Sequence, residues 1–100
     1  MSTAQQHPTV TVRLSASLRT AAGAKEVTVP CAPDTTVRAL LHALGAANAA
    51  LAERLLDAQQ DLNRGVQVLV NGRHIDFLSG LETLIQPTDS VMLIPPVGGG

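Results

Sequence analysis

From Thr9 onward apolar and polar side chains alternate: Val10, Val12 and Leu14 fall on one side, Thr11 and Arg13 on the other. A period of two predicts a half-buried strand. Gly23 marks a turn, and Glu26-Val27-Thr28-Val29 alternates again before Pro30, so this part of the chain predicts an N-terminal hairpin. The period then changes. Val37, Leu40, Leu41 and Leu44 stand at i, i+3, i+4 and i+7, one apolar stripe of a helix. Asp34 or Thr35 is placed to cap its start, and Gly45 to end it in a left-handed turn. A second, shorter helix is predicted from about Asn48 to Leu56 on Leu51, Leu55 and Leu56, followed by a polar loop over residues 57–65.

Val66-Gln67-Val68-Leu69-Val70 is the clearest strand, and it runs into Asn71-Gly72, the pair that best tolerates the positive φ angles of a type I′ hairpin. His74 to Phe77 is predicted to return as a strand. A compact connection over 78–85 and a turn at Pro87-Thr88-Asp89-Ser90 lead to a last strand, Val91 to Ile94. The order is hairpin, helix, strand, short strand, final strand. One amphipathic helix laid across one mixed sheet of four to five strands buries a single stripe against a single face. That is an α+β, β-grasp (ubiquitin-like) arrangement. Residues 1–8 read as a loose N-terminal segment, 9–94 as the folded unit and 95–100 as a tail.

Composition narrows the function. Apolar residues make up 45% of the 100 positions and charged ones 15%, a globular balance whose core must be aliphatic because Phe77 is the only aromatic residue. A net charge of −1 and the lack of stacking surface argue against nucleic acid. No apolar run approaches the roughly 20 residues that span a bilayer, and MSTAQQHPTV lacks the pattern of a signal peptide. The expected location is the cytoplasm, with no membrane partner. Cys31, the only cysteine, reads as a small apolar residue at a strand end, and His7, His42 and His74 have no ligand spacing, so no metal is expected.

The remaining feature is the end, Ile94-Pro95-Pro96-Val97-Gly98-Gly99-Gly100. Prolines fix φ and stiffen a stem. Glycines without Cβ can thread a narrow channel. Six extended residues reach about 20 Å, at roughly 3.3–3.6 Å each. The tail therefore suits delivery of a terminal carboxylate into a partner's active site while the body docks outside.

These residues resemble the ubiquitin-like sulfur carriers of the MoaD/ThiS family: the small subunit of molybdopterin synthase, the thiamine sulfur carrier and the carrier for cysteine synthesis. The resemblance runs through Thr36-Val37-Arg38-Ala39-Leu40-Leu41, Leu69-Val70-Asn71-Gly72, Phe77-Leu78-Ser79-Gly80-Leu81-Glu82-Thr83, Asp89-Ser90-Val91 and the tail, from about Thr9 to the end. The family usually has Gly-Asp where this chain has Thr88-Asp89, a change confined to the turn. Gly99-Gly100 align with the family's diglycine and Gly98 with the small residue before it, so no processing is needed. With Gly100 as an overhang, a peptidase would be.

The resemblance implies that Gly100 is adenylated by an ATP-dependent activating enzyme and converted to a thiocarboxylate, the sulfur coming from a persulfide. No cofactor is bound by the chain; ATP is used by the activating enzyme. Val97, Gly98 and Gly99 would thread that enzyme's channel. Independently of the family, strand parity puts either Val91 and Leu93 or Met92 and Ile94 on the open face. Core packing favours Val91 and Leu93 inside, which leaves Met92 and Ile94 beside Leu69, an apolar patch for docking that continues into Pro95 and Pro96. No catalytic residue is assigned; the chain is a carrier acting as co-substrate. The sulfur-accepting partner is a cysteine-synthase-like enzyme, a molybdopterin synthase large subunit or a natural-product enzyme. Pro95-Pro96-Val97 resembles the molybdopterin branch; the helical stretch over 48–63 and Phe77…Gly80-Leu81 favour the cysteine-synthesis carrier and its relatives in secondary metabolism. The alternative is a ubiquitin-like modifier joined to lysines through the same glycine, and a plain interaction module with an incidental tail is a third reading. Lys25, the only lysine, argues against self-linked chains but not against single attachment.

Overall fold

The computed structural model describes residues 8–59, 61–63 and 65–96. Strand β1 (Thr9–Leu14) alternates as its sequence does, with Val10, Val12 and Leu14 buried and Thr9, Thr11 and Arg13 exposed. It pairs antiparallel with β2 (Glu26–Pro30) in the register Val12 opposite Val27. The hairpin is not simple. A short helix, α1 (Ser17–Ala22), stands between the two strands and drops Leu18 into the core. Gly23, φ 75°, ends that helix in the left-handed region, its N–H bonding to the Arg19 carbonyl at 2.8 Å.

Helix α2 (Val37–Ala47) buries the stripe Val37, Leu40, Leu41 and Leu44. Each fully buried aliphatic side chain of this kind contributes about 1.5–3 kcal/mol. Its cap is Thr36, whose hydroxyl accepts from the Ala39 N–H at 3.1 Å, rather than Asp34 or Thr35. Thr35 instead accepts from the Ala32 N–H at 2.8 Å, closing the turn before the helix. Gly45 does not end α2 either. It lies inside the helix, where a Cβ would meet Ala52 Cβ and Leu56 Cδ1 at 3.2 Å each, so its absent side chain admits the next helix. That helix, α3 (Ala49–Leu55), is capped by Asn48, whose Oδ1 accepts from Ala50 and Leu51 N–H, and it buries Leu51 and Leu55.

Strand β3 (Gln67–Val70) buries Val68 and Val70 and turns through Asn71 and Gly72, φ 54° and 80°. Both positive angles suit the I′ hairpin the dipeptide predicts. The return strand is shorter than its sequence suggests: β4 is only Arg73–His74, and Ile75–Phe77 winds into a 3₁₀ turn. A second 3₁₀ turn, Gly80–Glu82, completes the connection to β5 (Val91–Ile94), where Val91 and Leu93 are fully buried.

The five strands form one mixed sheet in the order β2-β1-β5-β3-β4. β5 runs parallel to β1 and antiparallel to β3, so the last strand is the central one. The inner positions of β1, β3 and β5 meet α2 and α3 in a single aliphatic core. This is the β-grasp.

Candidate functional site

Because β5 is central, the stem that follows it leaves from the middle of the sheet. Pro95 is half-buried and Pro96 exposed. Neither can donate a ladder hydrogen bond, and β5 ends before them. Val97, Gly98, Gly99 and Gly100, the residues assigned to threading and to the thiocarboxylate, lie outside the described residues.

The open face of the sheet is set by register. Arg13 pairs with Glu26 and Met92, and Leu69 pairs with Met92 and His74. One row of side chains, Glu26, Arg13, Met92, Leu69 and His74, therefore crosses all five strands. Its centre is apolar and half-buried, and its β2 flank is charged. Ile94, paired with Gln67, lies next to this row on the way to the stem. Leu69, Met92 and Ile94 thus share the open face, and Pro95 and Pro96 follow Ile94 where the stem departs.

The flank beside Met92 is basic. Arg13, Arg19, Lys25 and Glu26 line a cleft with Leu14, Ala24 and Met92. Arg19 is oriented by its Nε donating to the Leu14 carbonyl at 2.8 Å, and Arg13 lies 3.7 Å from the Glu26 carboxylate. Both members of the Arg13–Glu26 pair are solvent-exposed, so it orients rather than stabilises.

A second apolar patch was not legible in the sequence. Phe77 is 81% exposed, and Leu78 and Leu84 are exposed as well. A strand over 74–77 would place Ile75 and Phe77 on the same side; the 3₁₀ turn buries Ile75 and sends Phe77 outward. Cys31 is buried, its thiol donating to the Ile85 carbonyl at 3.3 Å. Burial pushes that thiol's pKa up, and the Asp89 carboxylate adds to the shift, so it is held as a neutral thiol. His42 is exposed on α2, and His7 lies outside the described residues.

Fold and surface define a ubiquitin-like β-grasp protein with a half-buried apolar strip on its open sheet face, next to the start of its C-terminal stem. The chain belongs to the ThiS family, whose model matches residues 12–100. It is 36% identical to the sulfur carrier protein CysO of Mycobacterium tuberculosis over 93 residues, 91% of this chain and 98% of that protein. Among solved structures it resembles small archaeal modifier protein 1 of Haloferax volcanii, with a TM-score of 0.80 and 33% identity over 92% of this chain and 99% of that one. It also resembles a structure of the Amycolatopsis orientalis BexX/CysO complex, with a TM-score of 0.69 and 31% identity over 91% and 99%. Sulfur carriers and ubiquitin-like modifiers thus both stand among its relatives.

Proposed function

We propose that this protein is a sulfur carrier whose Gly100 carboxylate is activated by a partner enzyme and converted to a thiocarboxylate. The observation that carries the reading is the family match running through to Gly100, on a stem that leaves the central strand beside an apolar strip. A carboxylate resists nucleophilic attack because its charge is delocalised and oxide is a poor leaving group. In the proposed sequence the Gly100 oxygen attacks the α-phosphorus of ATP, pyrophosphate leaves, and the acyl-AMP is formed. A persulfide sulfur then attacks the acyl carbon and AMP leaves. A thiol reduces the resulting acyl disulfide, which frees the thiocarboxylate and leaves the donor as a disulfide.

The chain's own residues bind and present. Leu69, Met92 and Ile94 dock, Pro95 and Pro96 project, Val97 to Gly99 thread, and Gly100 carries the sulfur. Nucleotide chemistry and sulfur acceptance belong to partners, the activating enzyme first and a sulfur-accepting synthase second. A relative named CysO is crystallised in complex with BexX, which supports a partner that docks on the carrier. The likeness to CysO supports placing cysteine or a secondary metabolite ahead of molybdopterin as the product. The proposed setting is the cytoplasm; no helix among the described residues is long and apolar enough to cross a membrane.

The structural likeness to small archaeal modifier protein 1 supports a second reading, conjugation of the same glycine to lysines of other proteins. Intact mass of the protein from its own cell separates the two. An increase matching one oxygen exchanged for sulfur supports the carrier, whereas target peptides with a glycine remnant on lysine support the modifier. Full function after deletion of Gly99-Gly100 overturns both.

A further inference from the structure

We propose that Gly65 is a positioning residue for the tail: its bare backbone seats Pro96 and so sets the direction in which the chain leaves the sheet. The inference rests on the reading of Gly100 as the activated group. Its starting point is register. Gln67 pairs with Ile94, and extending that antiparallel ladder by two residues puts Gly65 opposite Pro96. Proline has no N–H to donate, so the ladder becomes a packing contact there.

That contact is too tight for a Cβ unless Pro96 shifts. A Cβ on Gly65 would lie 3.0 Å from Pro96 Cβ and 3.1 Å from Cγ. Carbon atoms at their optimal separation stand about 3.5–4.0 Å apart. A change of ring pucker can move Cγ but hardly Cβ, so the backbone at 96 would have to give by a few tenths of an ångström. Gly65 also has φ 95°, which alone favours glycine. Gly23, Gly72 and Gly80 share a positive φ but have nothing within 4 Å of the Cβ position. Their backbone angle accounts for them; at Gly65 the stem adds a second demand. The seat is anchored, because Val66 is buried and its N–H donates to the Asn63 carbonyl at 3.2 Å.

A shift at Pro96 changes the direction in which the stem sets out from the sheet. Misplacement of a reacting group by about 1 Å costs on the order of a hundredfold in rate. Gly65 therefore governs presentation of the terminal carboxylate without touching it.

The test compares Gly65→Ala with Gly72→Ala, which also places an alanine at positive φ, 80° against 95°, but away from the stem. Nuclear Overhauser contacts between Gly65 Hα and the Pro96 ring report the seat. They are expected in the wild-type chain and in Gly72→Ala, and their absence from the wild type overturns the proposal. Adenylation is read by pyrophosphate exchange with the activating enzyme of the same organism. Gly65→Ala is expected to lower kcat/KM by at least about tenfold, and Gly72→Ala to leave it within about twofold. Pro96→Gly removes the same contact from the other side, so it also lowers kcat/KM and keeps the proposal testable if Gly65→Ala does not fold. Adding Gly65→Ala to Pro96→Gly should cost no more than Pro96→Gly alone. Wild-type adenylation of Gly65→Ala, or its full cost persisting beside Pro96→Gly, overturns the proposal. A wild-type chain that is never adenylated overturns the Gly100 reading and the functional half of this one, while the Overhauser contacts still decide the seat.

Discussion

Asn71 and Asp89 tie the two turns at one end of the sheet together. Asn71 Nδ2 donates to Asp89 Oδ1 at 3.0 Å, and Asn71 Oδ1 accepts from the Ser90 N–H at 2.9 Å. The Asp89 carboxylate is itself held by the Gln86 N–H at 2.8 Å, and the Asn71 N–H reaches the Ser90 carbonyl at 2.7 Å. The hairpin after β3 and the turn before β5 thus share one hydrogen-bonded cluster, which starts the central strand in its register.

Two substitutions separate what Asn71 contributes. Asn71→Gly keeps the positive φ at no steric cost but deletes both side-chain bonds, and it should lower stability by about 1–3 kcal/mol. Asn71→Ala adds the strain of a left-handed alanine, about 1 kcal/mol more. Urea unfolding of the three proteins checks the order: wild type above Asn71→Gly above Asn71→Ala.

The turn into α1 carries the opposite kind of mismatch. Ala16 has φ 50° and ψ −130°, a conformation that suits glycine, and it contributes no side-chain cap. Ala16→Gly should raise stability by about 0.5–1 kcal/mol, seen as an increased urea midpoint with unchanged slope. The same residue shows why α1 was hidden from the sequence. Its six residues hold one buried anchor, Leu18, and no capping signal, so no 3.6-residue period can register. β1, α2 and β3 were legible because each repeats its pattern several times. Gly45 and Gly65 failed the other way. Glycine was visible at both positions, but the partners that require it, Ala52 and Leu56 for one and Pro96 for the other, are set by packing and register rather than by adjacency. That Met92 and Ile94 share a face with Leu69 followed from alternation once core packing put Val91 and Leu93 inside, while the Phe77 patch depended on a 3₁₀ turn that alternation does not announce.

Cys31 predicts a pH dependence. Its pKa in the folded protein is raised, by burial first and by the Asp89 charge second, while the unfolded thiol ionises in its ordinary range. The neutral thiol is the form the fold favours, so the contribution is complete below the unfolded pKa and is lost as pH rises through the alkaline range toward the folded value. Unfolding free energy should fall over that window, and Cys31→Ala should flatten the fall while lowering stability at neutral pH. Iodoacetamide should modify the native thiol at least about tenfold more slowly than the thiol in urea. A native rate equal to the urea rate would contradict the buried assignment.

The two apolar surfaces make different predictions for activation. Leu69 and Met92 are directly paired at the centre of the open face, on the strand that feeds the stem and on its neighbour. Both are half-buried, so a lysine can extend its head into water while its stem covers the same surface. Leu69→Lys and Met92→Lys should therefore cost no more than about 1 kcal/mol in stability. A docking contact acts on binding before chemistry, so each should raise the KM for adenylation roughly tenfold with kcat little changed. Phe77→Ser removes the exposed aromatic ring from the other patch and should leave that KM unaltered. The opposite result, a raised KM in Phe77→Ser with Leu69→Lys and Met92→Lys silent, would move the activating enzyme's contact from the open face of the sheet to the 3₁₀ connection.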